Sequence, residues 1–290
     1  MAGAPETGRW RKLGVVAGGG ALPGRVAAAA RGRKEDVFVI RLKGFADDHV
    51  ADFPGADCGL AEAGKLISLL KDAGCDAVVL AGRVSRPDFA ALAPDWRGAA
   101  LLPKAVAAAA KGDGALLSLL VDTLEGEGFR VVGAEEAAGD LRAGAGALTV
   151  AAPGPHDLDD IAKAAALVAA LGPFDVGQGA VVSAGRILAV EAVEGTDAML
   201  ARCAGFADAD RGGAGRRGVL VKRPKPGQEL RVDLPTLGVR TIEGAAAAGL
   251  AGVAFEAGAA LIVDVAASVR AADAHGLFLY GFSPDAPRRA

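Results

Sequence analysis

The feature that most constrains this chain is the exchange of short apolar runs with helical stretches, punctuated by glycine. Leu13–Val16 is an apolar run that leads into Gly18-Gly19-Gly20, and Leu22–Ala30 then reads as a helix with Pro23 in its first turn, where proline is acceptable. Asp36–Leu42 carries the β-branched and aromatic run Val37-Phe38-Val39-Ile40 and predicts a second strand. Ala63–Ala73 sets Leu66, Ile67, Leu69 and Leu70 on one side of a helix, Gly74 ends it, and Ala77–Ala81 predicts a third strand. After a proline-rich turn, Leu101–Leu124 reads as two helical pieces broken at Gly112-Asp113-Gly114, and Phe129–Val132 as a fourth strand. Strands alternating with helices through short connections imply a parallel, doubly wound, Rossmann-like α/β domain.

The second half is also α/β, with more hairpin-like strand pairs. Helices are expected at Asp157–Leu171, Thr196–Ala204, Thr241–Ala248 and Asp264–Ala274. Strands are expected at Ala180–Val182, Ile187–Ala192, Gly218–Lys222, Leu230–Val232, Gly252–Phe255, Leu261–Val263 and Leu277–Tyr280. A chain of 290 residues suggests two domains. Residues 139–155, rich in Gly and Ala and closing on Ala152-Pro153-Gly154-Pro155, are the expected linker between domains over 12–138 and 156–290. With 42 glycines and 4% aromatic residues, the cores are built from Ala, Val and Leu, which permits close helix–sheet approach.

Charge and cysteine usage exclude several functions. The formal net charge is −3 without a basic block, so neither nucleic acid nor a membrane-surface patch is indicated. Cys58, Cys75 and Cys203 form no CxxC pair, which argues against a disulfide framework or a zinc site and for a reducing compartment. No stretch approaches the roughly 18 apolar residues that span a bilayer. Residues 1–12 are polar, lack an apolar signal core and are expected to be a disordered extension. The expected location is the cytoplasm.

Four segments carry candidate chemistry. In the turn Gly18–Gly24, the backbone around Gly19, Gly20, Ala21 and Leu22 stands where N–H groups and a helix dipole receive phosphate. Pro23 departs from the G-x-G-x-x-G fingerprint, and a tight βα turn explains the glycines equally well. Gly82, Arg83 and Ser85 leave the third strand at its carboxyl end, where a guanidinium and a hydroxyl suit a phosphate, although a solvated loop has the same composition. Glu191, Glu194, Thr196 and Asp197 place carboxylates and a hydroxyl at a helix start, fitting Mg²⁺ or a sugar as well as a simple cap. The densest constellation runs from Lys222 to Gly238. Lys222, Lys225 and Arg231 surround Asp233 in sequence, Gln228 adds an amide, and Pro224, Pro226 and Pro235 stiffen the loop. A diphosphate needs cations for its charge and a carboxylate to hold a metal or orient water. His49, His156 and His275 lie far apart in unlike contexts, and no G-x-S-x-G elbow occurs.

Taken in order, Gly14-Val15-Val16-Ala17-Gly18-Gly19-Gly20-Ala21-Leu22-Pro23, Gly82-Arg83-Val84-Ser85-Arg86-Pro87, Gly177-Gln178-Gly179, Glu194-Gly195-Thr196-Asp197 and the Lys225–Gly238 segment resemble one family. It is the alternative, non-calcineurin-like UDP-2,3-diacylglucosamine pyrophosphatase family of lipid A biosynthesis. The resemblance runs from about Leu13 to the C-terminus and implies a Mg²⁺-dependent hydrolase that yields 2,3-diacylglucosamine 1-phosphate (lipid X) and UMP. It implies that Asp233 is the critical aspartate, that the C-terminal domain holds most of the lipid, and that the nucleotide lies near the domain interface. A homodimer follows from the resemblance alone, and peripheral contact with the inner membrane face is compatible with a soluble enzyme working on a lipid.

On this basis Asp233, Lys225 and Gln228 are the expected catalytic residues, and Asp233, Glu191 and Glu194 the expected metal ligands. Lys222 and Arg83 are expected to neutralise phosphate, Gln178 and Thr196 to orient the sugar phosphate, and Gly179, Asp197 and Thr236 to complete the substrate site. Two other classes fit the glycine turn or the cleft: a nicotinamide-dependent oxidoreductase and a non-catalytic nucleotide or lipid carrier.

Overall fold

The computed structural model describes residues 10–283, and the chain divides into two compact units at residues 139/140. In unit 1, β1 (Lys12–Ala17), α1 (Leu22–Gly32), β2 (Asp36–Leu42), β3 (Gly55–Cys58), α2 (Ala63–Asp72) and β4 (Ala77–Ala81) are followed by α3 (Trp96–Ala109), α4 (Asp113–Gly126), β5 (Arg130–Val131) and α5 (Ala134–Ala137). The strands form one parallel sheet in the order β3-β2-β1-β4-β5. β1 and β4 are buried along nearly their whole length, as strands covered by helices on both faces must be. This is the doubly wound α/β order that the alternation of segments predicts.

β3 has no apolar run, and its sequence Gly55-Ala56-Asp57-Cys58 buries only Cys58. An edge strand needs little more than backbone pairing, here to β2, so periodicity does not reveal it. The expected extension over 1–12 lies outside the described residues up to position 9 and is corrected at its end. Trp10 is buried, Lys12 opens β1, and the Asp76 carboxylate accepts the backbone N–H groups of Arg11 and Lys12 at 2.9 and 3.0 Å.

Unit 2 contains β6 (Gly146–Ala147), α6 (Pro155–Leu171), β7 (Gly179–Ser183), β8 (Arg186–Val190), α7 (Gly195–Ala204), β9 (Val219–Lys222), β10 (Thr236–Leu237), α8 (Val239–Ala247), β11 (Gly252–Glu256), β12 (Leu261–Ile262), α9 (Val265–His275) and β13 (Phe278–Phe282). Six strands form a mixed sheet in the order β6-β13-β11-β9-β7-β8, and β10 pairs with β12 separately. β9, β11 and β13 run parallel, whereas β7 is antiparallel to both β9 and β8. One core packs Met199, Leu200, Ile242, Ala245 and Ala272 from α7, α8 and α9 against Leu220, Val253 and Phe255. A second packs Ile161, Ala164, Ala165 and Val168 of α6 against Val182, Val219 and Val221.

Two expectations are corrected here. Residues 139–155 are not wholly a linker, because Gly146–Ala147 pairs antiparallel with β13 as an edge strand and α6 already begins at Pro155. Leu230–Val232 is a turn and not a strand. The Glu229 carboxylate takes the Arg231 backbone N–H at 3.2 Å, and the Glu229 carbonyl takes the N–H groups of Val232 and Asp233. Those donors therefore cannot join a ladder.

The topology also builds one end of the sheet. β9 ends at Lys222, β8 ends beside Glu191, and antiparallel β7 starts at Gly179 directly opposite Lys222. The residues just beyond these strand ends are thus held close together, in the position where open α/β sheets bind ligands.

Candidate functional site

In unit 1 the glycine turn is engaged by the protein itself. Gly18 N–H donates to the Ala81 carbonyl at 2.8 Å, Gly19 N–H to Arg83 at 2.9 Å, and Gly20 N–H to the Asp47 carboxylate at 2.8 Å. The expectation that Gly19 and Gly20 present N–H groups to phosphate is corrected, since both donors have acceptors within the fold. The close approach has a steric origin. Gly82 has φ +92°, and a Cβ there would lie 2.8 Å from the Gly18 carbonyl carbon.

Ala21 and Leu22 lie at the start of α1, which has no side-chain cap. Arg83 and Ser85 are exposed on the loop after β4, and neighbouring Arg86 pairs with Asp113 of the Lys111–Gly114 turn at 2.5 Å. At the carboxyl ends of β2 and β3 lies a cleft of about 560 Å³, lined by Arg41, Lys43, Gly44, Asp47 and Asp57 among others.

In unit 2 the sheet end described above carries two linked polar networks. The first is buried. Lys222 Nζ donates to Glu191 Oε2 at 2.8 Å and to Thr196 Oγ1 at 2.8 Å, and Thr196 Oγ1 donates to Glu191 Oε1 at 2.6 Å. Burial pushes the Glu191 pKa up, but the Lys222 charge and hydrogen bonds from Lys222, Thr196 and Gln178 outweigh it and hold the carboxyl below its usual range. This arrangement needs Gly179, because a Cβ there would meet Glu191 Oε2 at 2.7 Å and Lys222 Cδ at 3.1 Å.

The second network surrounds Asp233, and Gln178 joins the two. Its backbone N–H donates to Glu191 Oε2 at 3.2 Å, and its side-chain Nε2 donates to Asp233 Oδ1 at 2.9 Å. Lys225 pairs with Asp175, and its backbone N–H donates to Gln228 Oε1 at 2.9 Å. The Gln228 amide also lowers the Asp233 pKa, and its Nε2 is buried without a well-formed hydrogen bond. Burial is the largest influence on half-buried Asp233 and raises its pKa; Asp175 acts the same way, against Lys225, Gln178 and Gln228. A carboxylate held up by desolvation with a cation and amide donors beside it can accept a proton from water next to a negatively charged substrate.

The expected residues therefore separate. Gln178, Gly179, Glu191, Thr196, Lys222, Lys225, Gln228 and Asp233 fall in the two joined networks. Glu194 instead pairs with Arg202 at 3.1 Å, and Asp197 with Arg240 at 2.7 Å. Thr236 is exposed on β10, and its hydroxyl donates to the Leu234 carbonyl.

The metal set Asp233, Glu191 and Glu194 is corrected on the same ground. Both Glu191 oxygens already accept hydrogen bonds, Glu194 faces a guanidinium, and among the described residues no group of three or more His, Cys, Asp or Glu is placed to hold an ion. Sequence reasoning missed Asp175. It lies two residues before the Gly177-Gln178-Gly179 motif, and an acid that close to the motif was the available signal.

Comparison with known proteins covers both units. A family model described as the LpxI N-terminal domain matches residues 12–141, and one described as the LpxI C-terminal domain matches residues 144–280. The chain is 52% identical over 275 residues to UDP-2,3-diacylglucosamine pyrophosphatase LpxI of Caulobacter vibrioides, covering 94% of this chain and 98% of that protein.

Proposed function

The chain belongs to the LpxI family, and from that premise we propose that it is a hydrolase cleaving the pyrophosphate of UDP-2,3-diacylglucosamine in lipid A biosynthesis. The products are 2,3-diacylglucosamine 1-phosphate and UMP. The observation that carries the chemistry is Asp233, whose pKa burial raises beside the Lys225 cation. In this reading a water oxygen bonds to phosphorus as the P–O bond of the anhydride breaks. Asp233 takes the water proton, and Lys225 and the Gln228 amide beside Asp233 stabilise charge on the phosphate oxygens. The buried Lys222–Glu191–Thr196 network holds Gln178 in place, and Gln178 orients Asp233.

Among the described residues the carboxylates do not form a preorganised metal cage. Magnesium is proposed as a companion of the substrate diphosphate, consistent with an ion that keeps its waters and binds through phosphates and few carboxylates. Titrating the enzyme with EDTA and then Mg²⁺ tests that requirement. Among the described residues no helix is long and apolar enough to cross a membrane. A cytoplasmic location with peripheral contact at the inner membrane face fits a lipid substrate, and vesicle co-sedimentation tests it.

Incubating the purified chain with UDP-2,3-diacylglucosamine and following UMP release tests the reaction. Asp233→Ala is expected to abolish UMP release while substrate still binds. A near-normal rate in that variant would refute the assignment.

A further inference from the structure

Beyond its charge effect on Asp233, Asp175 has no role in the chemistry described so far, yet its position is tightly specified. It ends the 3₁₀ turn Gly172–Phe174 in the left-handed region, with φ 53° and ψ 36°. A non-glycine residue there is uncommon, and Asp and Asn tolerate it best. The turn is locked against the catalytic loop, because a Cβ on Gly172 would lie 2.6 Å from Pro226 Cδ. Pro224 and Pro226 flank Lys225, and the Lys225 backbone N–H and C=O both bond to Gln228. The backbones on either side of the Asp175–Lys225 ion pair are therefore fixed before the side chains meet.

We propose that Asp175 is a positioning residue for the proposed pyrophosphatase reaction, anchoring the Lys225 ammonium so that it stabilises the diphosphate without collapsing onto Asp233. The inference rests on the functional reading above. Lysine is a point charge on a flexible four-carbon stem with three N–H donors. Lys225 has two acidic neighbours, Asp175 in ion-pair contact and Asp233 within electrostatic reach. Held by Asp175, the ammonium keeps donors for the substrate. Released, it would move to Asp233, neutralising the base and withdrawing the cation together. A displacement of about 1 Å in such a group costs on the order of 100-fold in rate.

The test is a double-mutant cycle on the full chain, with UMP release from UDP-2,3-diacylglucosamine as the readout. Asp175→Asn keeps the size and the tolerance of left-handed backbone but removes the charge. It is expected to lower kcat by about 10- to 100-fold, with KM within about threefold of wild type. Asp175→Gly, which also accepts this backbone, is expected to match it, and Asp175→Glu to recover part of the loss. In a Lys225→Met background, Asp175→Asn is expected to cost less than about twofold more, because it acts through Lys225. Wild-type kcat in Asp175→Asn, or a full and independent loss in the Lys225→Met background, would overturn the inference and leave the function standing. An inactive wild-type chain would overturn both.

Discussion

Asp233 and Glu191 lie in one polar assembly, and Gln178 hydrogen-bonds to both, yet their environments drive their titrations apart. Burial dominates at Asp233, so its folded pKa lies above the ordinary 3.8. The ionised form is therefore penalised in the folded state at neutral pH, and that penalty vanishes once the pH falls below 3.8 and both states are protonated. Asp233→Asn is accordingly expected to raise the melting temperature at pH 7 while abolishing turnover, with the gain shrinking in acid. Differential scanning calorimetry across pH reads this directly. For the wild type, the acid limb of kcat/KM should fall above pH 3.8.

Glu191 has the opposite sign. Its folded pKa is lowered, so its pairing contributes stability above 4.5 that is lost as the pH falls through the folded value. Lys222→Met would strand Glu191 as a buried charge and is expected to cost about 3–5 kcal/mol by urea denaturation. Adding Glu191→Gln should return a large part of that loss.

At the level of elements, the site depends on where strands end. β7 begins opposite the last residue of β9, and the Gly179 N-terminal residue of β7 leaves room for the Glu191–Lys222 pair. Gly179→Ala is expected to separate that pair and destabilise the chain by about 1–3 kcal/mol, seen as a lower urea midpoint, with loss of activity.

Elements with a strong internal period were legible in the sequence. β2 and β4 match their expected bounds, and α1, α2 and α6 lie within two residues of theirs at each end. The elements that escaped have almost no side-chain signal. β3 buries one cysteine, β6 is two residues long, and the turn at Leu230–Val232 is decided by Glu229 capturing neighbouring N–H groups. Pairing of that kind lies in the backbone and in partners outside the segment, which hydrophobic periodicity does not encode.

For the molecule as a whole, the two units have separate sheets, and unit 2 carries apolar cores on both faces of its own. A fragment spanning residues 140–283 is therefore expected to fold cooperatively by itself, measured as a single sigmoidal melt by circular dichroism. A broad, non-cooperative melt would show that its cores need the rest of the chain.

The residues alone determined the α/β class, the two-domain plan and the order of candidate motifs, because each depends on local period, turn chemistry or residue type. They also singled out the proline-stiffened loop around Asp233. Only the tertiary structure decided which carboxylates act together. It engaged Glu191 with Lys222 and Thr196, turned Glu194 and Asp197 to arginines, and brought Asp175, 50 residues from Lys225 in the chain, onto its ammonium. The physical reason is that a charge is assigned its role by distance and desolvation, and both arise from sheet register and loop packing between segments remote in sequence.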